Sequence, residues 1–269
     1  MRSALAIAAL ASFLLAPLAA ADDALTEAMA GDHRSDANRA RDAYRHPKET
    51  LEFFGFQPDL TVLEFWPGGG WYTEILAPAM SDDGKLILAV YGEGPDTSAY
   101  RARNHRNFVA KLDARKDLYG SIETFEFWPP ETNSLGAAAS VDLIVTFRNM
   151  HSMLRRDQND VFFKEAFRVL KPGGTLGIVQ HRAPEGADAR STADKGYVPT
   201  DWVIARAEAA GFALDATSEI NANPKDTKDY AKGVWALPPS LDAEDGREDE
   251  YRAIGESDRM TLRFVRPAG

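Results

Sequence analysis

Val62-Leu63-Glu64-Phe65-Trp66-Pro67-Gly68-Gly69-Gly70-Trp71-Tyr72-Thr73-Glu74-Ile75-Leu76-Ala77 is the stretch on which the fold turns. The run from Asp59 to Phe65 is compact and β-rich, as a buried parallel strand should be. It leads directly into Pro67-Gly68-Gly69-Gly70 and then into a helical segment, Trp71 to Ala77, bounded by Pro78. A strand, an acid near its end, a glycine turn and a helix together make a nucleotide-sized site. Glycine is needed because a Cβ would hold a ligand off the backbone, and the helix N-terminus offers free N–H donors.

Downstream, strands and helices alternate. Lys85–Val90 predicts a second buried strand, residues 97–119 a helical region ending at Gly120, and Ile122–Phe127 a weak strand before the Trp128-Pro129-Pro130 turn. Val141–Phe147 is the next buried strand. Phe163, Phe167 and Leu170 share one face of a helix over about 157–170. Lys171-Pro172-Gly173-Gly174 predicts a tight turn feeding the strand Thr175–Gln180. Thr200 is placed to cap a helix over Asp201–Ala210, closed by Gly211. Two strands remain, Phe212–Ile220 and Arg259–Val265, with no convincing helix between them. This order predicts an α/β fold, a Rossmann-like doubly wound, mostly parallel sheet with an antiparallel edge strand. The acidic run Asp242 to Glu250 lacks regular ligand spacing and reads as a solvated loop tip.

Upstream, Met1-Arg2-Ser3 carries a positive charge, an uncharged apolar run follows from Ala4, and small residues stand at Ala19 and Ala21. This is the layout of a secretory signal cut before Asp22, so a periplasmic or secreted protein is expected. Between that signal (1–21) and the first strand, residues 22–58 read as a charged helical segment. Pro47 interrupts it at His46 and opens a helix ended by Gly55. Residues 59–269 form the Rossmann-like domain, with an insertion at about 221–258.

The chain has 269 residues, no Cys, 31 basic and 41 acidic side chains, and a net charge of -10. A core of ordinary size is affordable at 44% hydrophobic content, and disorder is excluded. Without Cys there is no disulfide framework, thiolate metal site or Cys nucleophile. The acidic balance argues against nucleic acid and against a polybasic membrane anchor. No stable membrane insertion is expected once the signal is removed. A small molecule is the expected partner. No metal is expected either, because no two His share ligand spacing.

The dinucleotide fingerprint fails, since Thr73 stands where its third glycine belongs, and this weighs against a nicotinamide oxidoreductase. Instead, Glu64-Phe65-Trp66-Pro67-Gly68-Gly69-Gly70 resembles motif I of the class I S-adenosylmethionine-dependent methyltransferases, with Trp66 in place of the first glycine. Val141-Asp142-Leu143-Ile144-Val145 resembles that family's fourth-strand motif, and Phe167 to Gly174 its helix and turn before strand five. More narrowly, Arg45-His46-Pro47-Lys48-Glu49-Thr50, Phe147-Arg148-Asn149-Met150-His151 and Asn223-Pro224-Lys225-Asp226 resemble a group of exported bacterial predicted methyltransferases.

The resemblance implies methyl transfer from S-adenosylmethionine to a small acceptor. Glu64, Gly68 and Gly70 would hold the methionyl part, together with Gly69, Trp66 and Asn149 around the turn. The family's ribose-binding acid should follow strand two, where Tyr91 stands with Glu93 as the nearest acid. Ligands in this architecture bind at the carboxyl end of the sheet, which brings Arg148, Asn149, His151, His181 and Arg182 to the site. His151 or His181 is the candidate general base, and Arg148 the candidate clamp for an acidic substrate. Arg45 and His46 are placed to cover the cofactor, Tyr72 to point its hydroxyl into the site or to pack, Trp66 and Trp71 to wall the pocket or fill the core, and the 221–235 segment to act as a lid. The alternative is an exported, non-catalytic small-molecule-binding protein on the same fold.

Overall fold

The computed structural model describes residues 20–92, 97–244 and 246–269. Most of the expected signal, Glu93 and one acid of the 242–250 run, Asp245, lie outside the described residues.

The chain opens with helix α1 (residues 20–30) and the short helices α2 (Asp36–Arg39), α3 (Asp42–Arg45) and α4 (Pro47–Phe53). There follow β1 (Thr61–Phe65), α5 (Thr73–Ala79), β2 (Lys85–Val90), α6 (Ala99–Ala114), α7 (Lys116–Tyr119), β3 (Glu123–Glu126) and β4 (Val141–Phe147). The second half holds α8 (Met150–Leu154), α9 (Asn159–Val169), β5 (Leu170–His181), α10 (Ala189–Ala193), α11 (Thr200–Ala209) and β6 (Ala213–Ser218). A 3₁₀ turn (Gly233–Ala236), α12 (Glu248–Ile254) and β7 (Arg259–Val265) complete it.

The strands form one seven-stranded sheet in the order β3-β2-β1-β4-β5-β7-β6. The first five pair in parallel, and β7 runs antiparallel to both β5 and β6. The reversed strand therefore lies one place in from the edge, and β6, with its alternating exposed residues, forms the edge itself. Side chains alternate between two packed layers, as period-two strands require. Leu63, Phe65, Ile87 and Ile178 face α9 and α11, whereas Val62, Leu88 and Val145 face Leu51 of α4, Phe54 just after it and Ile75 of α5. Ala21, Leu25 and Ala28 of α1 join the second layer, so the N-terminal segment shares the core of the sheet.

Several local expectations are corrected. Pro78 lies inside α5 instead of ending it. A proline lacks the N–H that would bond the carbonyl four residues back. That carbonyl belongs to Glu74, and the His33 ring nitrogen Nε2 meets it at 2.7 Å, so the helix continues to Ala79. The Lys171–Gly174 segment is an irregularity within β5, not a turn before it. Gly173 takes φ +81°, its N–H bonds the Arg266 carbonyl, and the β4–β5 register shifts there. Thr200 is the first residue of α11, with Pro199 at the cap. Helices α8, α10 and α12 are too short for periodicity to reveal. The acidic run ends in one of them, with Glu248, Asp249 and Glu250 in the first turn of α12, where the helix dipole favours anions. His46, by contrast, breaks the chain between α3 and α4 as Pro47 predicts, in a left-handed conformation at φ 41°.

Candidate active-site cleft

A cleft of about 610 Å³ opens at the carboxyl ends of β1, β4 and β5. Both β1 and β4 are followed at once by a non-glycine residue with positive φ, Trp66 at 50° and Arg148 at 65°. Such strained conformations persist only where the surroundings hold them, and they concentrate at functional sites. Here each is pinned by a ladder bond to the neighbouring strand, Trp66 N–H to the Ala89 carbonyl and Arg148 N–H to the Val179 carbonyl.

The three glycines of the turn do different work. Ideal Cβ atoms on Gly68 (φ +63°) and Gly69 meet nothing within 4 Å, and both residues line the cleft. A Cβ on Gly70 would lie 2.4 Å from the Phe108 ring, so this glycine lets α6 pack and does not face the cleft. Glu64 does not reach the cleft either. Alternation turns it away from the layer of Leu63 and Phe65, and it is buried beneath α5, where the Thr73 hydroxyl donates to its carboxylate at 2.6 Å.

Burial pushes the Glu64 pKa up to about 7, against the lowering effects of Thr73 and Lys111. The folded protein therefore keeps a proton that the unfolded chain loses near 4.5, and stability falls as pH rises from about 4.5 to about 7. Glu64→Gln removes that penalty. Relative to the parent, the variant is expected to gain about 2 kcal/mol above pH 7, within a linkage ceiling of about 3, and little near pH 4.5. Denaturant unfolding across that range is the check, and a difference independent of pH would exclude the buried carboxylate as its source.

Trp66 is core and cleft wall at once. Its ring packs on Phe65, Tyr91 and Trp128 at centroid distances of 4.8, 4.6 and 6.0 Å, and its Nε1–H donates to the Phe127 carbonyl. Asn149 ties the strand ends together. Its amide nitrogen donates to the Phe65 and Trp66 carbonyls at 3.0 and 3.1 Å, and its oxygen accepts from the Tyr91 hydroxyl. The Tyr72 ring stacks on Phe147 at 3.4 Å and its hydroxyl donates to the Arg45 carbonyl, so Tyr72 acts as packing. Arg45 lines the cleft over the face of Trp71, and His46 does not. Arg182 pairs with Asp258 and Glu219 outside it.

His151 and His181 face each other at 5.9 Å. Burial, chiefly, lowers the His151 pKa to about 4 and carries His181 well below 6.5, so both rings are neutral at pH 7. Gln180, which sequence reasoning left as an ordinary strand residue, sets the His151 ring. Its amide nitrogen lies 3.5 Å from His151 Nδ1 while its oxygen accepts the Met150 N–H. With Nδ1 accepting, the proton is assigned to Nε2, beside the Ser152 hydroxyl. His181 Nδ1 lies 2.5 Å from the Ser257 hydroxyl.

Other residues come from distant parts of the chain. Arg41 lies in the N-terminal segment, Trp235 and Pro238 in the insertion, and Glu256, Ser257 and Arg259 at the entry to β7. Their one sequence signal is the polar run Glu256-Ser257-Asp258-Arg259 immediately before a buried strand. Among the described residues no group of His, Asp and Glu is arranged to hold a metal, and no helix is long and apolar enough to cross a membrane.

No family model matches this chain, and no curated protein does. Solved structures do. A SAM-dependent methyltransferase from Aquifex aeolicus superposes with a TM-score of 0.56 at 16% identity, over 84% of this chain and 93% of that one. Geranyl diphosphate C-methyltransferase from Streptomyces coelicolor A3(2), solved with Mg2+, geranyl diphosphate and S-adenosyl-L-homocysteine, gives 0.56 at 13%, over 89% and 87%. The [4+2]-cyclase SpnF also gives 0.56, at 16% identity, over 89% and 86%. The fold is therefore the Rossmann-like fold of class I methyltransferases, one that also hosts a cyclase.

Proposed function

We propose that this chain transfers the methyl group of S-adenosylmethionine to a small-molecule acceptor. The observation that carries the reading is the glycine turn, where Gly68 and Gly69 leave open backbone on a cleft of cofactor size. On that side the residues fit the cofactor. On the ribose side Tyr91 lines the cleft with its hydroxyl bonded to Asn149, and Glu93 lies outside the described residues. In this reading Glu64 serves the cofactor indirectly, by holding Thr73 at the start of α5.

Bound there, S-adenosylmethionine supplies a methyl carbon activated by its sulfonium. The chain's own part is alignment, exclusion of water and proton handling. Trp235 and Pro238 wall the cleft from the insertion, and the neutral His181 ring stands ready to accept the acceptor's proton, with His151, held by Gln180, facing it. Arg148, at the end of β4, orients the acceptor. The N-terminal pattern of residues 1–21 supports export as part of the same proposal.

Calorimetric titration with S-adenosylhomocysteine is the test. Dissociation constants on the order of micromolar are expected. An absence of both heat and thermal stabilisation at millimolar ligand would exclude methyl transfer and leave a small-molecule-binding protein on this fold.

A further inference from the structure

We infer that the acceptor is an organic anion, a carboxylate or a phosphate monoester, received by Arg148 and Arg45 in a cluster of four guanidinium groups around Glu256. The word acceptor rests on the methyl-transfer reading, whereas the anion site itself does not.

Glu256 is the one carboxylate among the described residues lining the cleft. Arg41 Nε donates to its Oε1 at 2.6 Å, Arg45 Nε to its Oε2 at 2.9 Å and Arg259 Nη2 to the same oxygen at 2.5 Å. Arg148 lies within the electrostatic reach of Glu256, Arg259 and Arg41, yet its guanidinium has no hydrogen bond or ion pair among the described residues. Four cations thus share one carboxylate, inside a chain whose net charge is -10.

The cluster is also deeply placed. Arg45 and Arg259 are 1% and 2% exposed. Both terminal nitrogens of Arg45 are buried without a partner, as is Arg259 Nε. Buried donors without partners are rare in folded proteins, and each calls for a missing water or ion. A buried cation without a counter-charge is costlier still. Burial, together with the nearby Arg259 and Arg41, brings the Arg148 pKa down to about 10, the mark of a cation held against its preference.

A ligand with two anionic oxygens at Arg148 supplies the counter-charge that the cluster lacks. The guanidinium fork matches a carboxylate or phosphate with two parallel bonds, and it keeps its charge where an ammonium would lose it. Arg148 is the better placed of the two to make first contact, being half-buried at a strand end whose positive φ is fixed by the Val179 carbonyl. Trp235 and the facing imidazoles wall the cleft beside the cluster.

Inorganic phosphate and succinate, titrated separately at constant ionic strength into the whole protein, provide the test. Thermal unfolding and calorimetry read the wild type, Arg148→Gln, and Arg247→Gln as an exposed control. Saturable stabilisation of wild type and control is expected below about 10 mM, with affinity for the preferred anion lowered about tenfold or more in Arg148→Gln. Without ligand, Arg148→Gln should be at least as stable as wild type, because it removes like-charge repulsion. Which of the two anions binds more tightly distinguishes the phosphate from the carboxylate source.

Equal stabilisation of all three proteins, or none in the wild type up to about 50 mM, would overturn the proposal. Saturating S-adenosylhomocysteine supplies a separate arm. If it displaces the anion competitively, the cluster serves the amino-acid end of the cofactor and the acceptor assignment falls. If it fails to bind while phosphate or succinate still does, the methyl-transfer reading falls and the anion site stands.

Discussion

Replacing Glu256 by Gln is expected to lower unfolding stability by about 3–5 kcal/mol, the cost of leaving buried charges without their partner. For a domain of this size that corresponds to a fall in Tm of roughly 10 °C. The effect is large because one carboxylate faces Arg41, Arg45 and Arg259 together, two of them almost fully buried. Nothing else lining the cleft offsets their charge among the described residues. The double variant Glu256→Gln/Arg259→Met should recover part of the loss, since removing a buried charge together with its partner is far less costly than removing the partner alone. Thermal denaturation of both variants is the measurement. A single variant as stable as wild type would mean that solvent, not Glu256, balances these guanidiniums.

Filling the glycine cradle is expected to have the largest effect on binding. Gly68→Val and Gly69→Val should each weaken S-adenosylhomocysteine binding at least about 100-fold, near 2.8 kcal/mol, while leaving the protein folded. The two positions differ in a useful way. Gly68 has φ +63°, so a side chain there adds backbone strain of about 1–2 kcal/mol. Gly69 lies outside the left-handed region, so its substitution tests steric filling alone. Both Cβ atoms enter open space beside the cleft, so neither should disturb the core. Unchanged affinity in the folded Gly69→Val protein would place the ligand elsewhere. Gly70→Val makes an instructive contrast, because it meets the Phe108 ring and should lower stability directly.

The contrast among these glycines marks where sequence reasoning stops. Gly68 and Gly70 occupy equivalent places in a motif, and nothing local separates them. Only the packing of α6 turns one into a cradle and the other into a contact for Phe108. Glu64 is similar. The motif assigns it to a ligand, yet β1 alternation aims it under α5, where Thr73 receives it. Pro78 reads as a helix stop until His33, 41 positions away from the freed Glu74 carbonyl, supplies the missing donor.

What the sequence by itself determined is what depends on neighbours along the chain. The β-rich apolar runs at β1, β2, β4 and β7, the glycine turn, the break at His46 and the alternation of strand and helix follow from local sterics and patterning. They specify a doubly wound sheet and the end of it at which ligands bind. Tertiary structure alone decided the electrostatics of the cleft. Arg41, Arg45, Arg148, Glu256 and Arg259 span more than 200 positions, and their charges reinforce or cancel through space. Removal from water then magnifies each unbalanced charge, and burial is a property only the folded chain possesses.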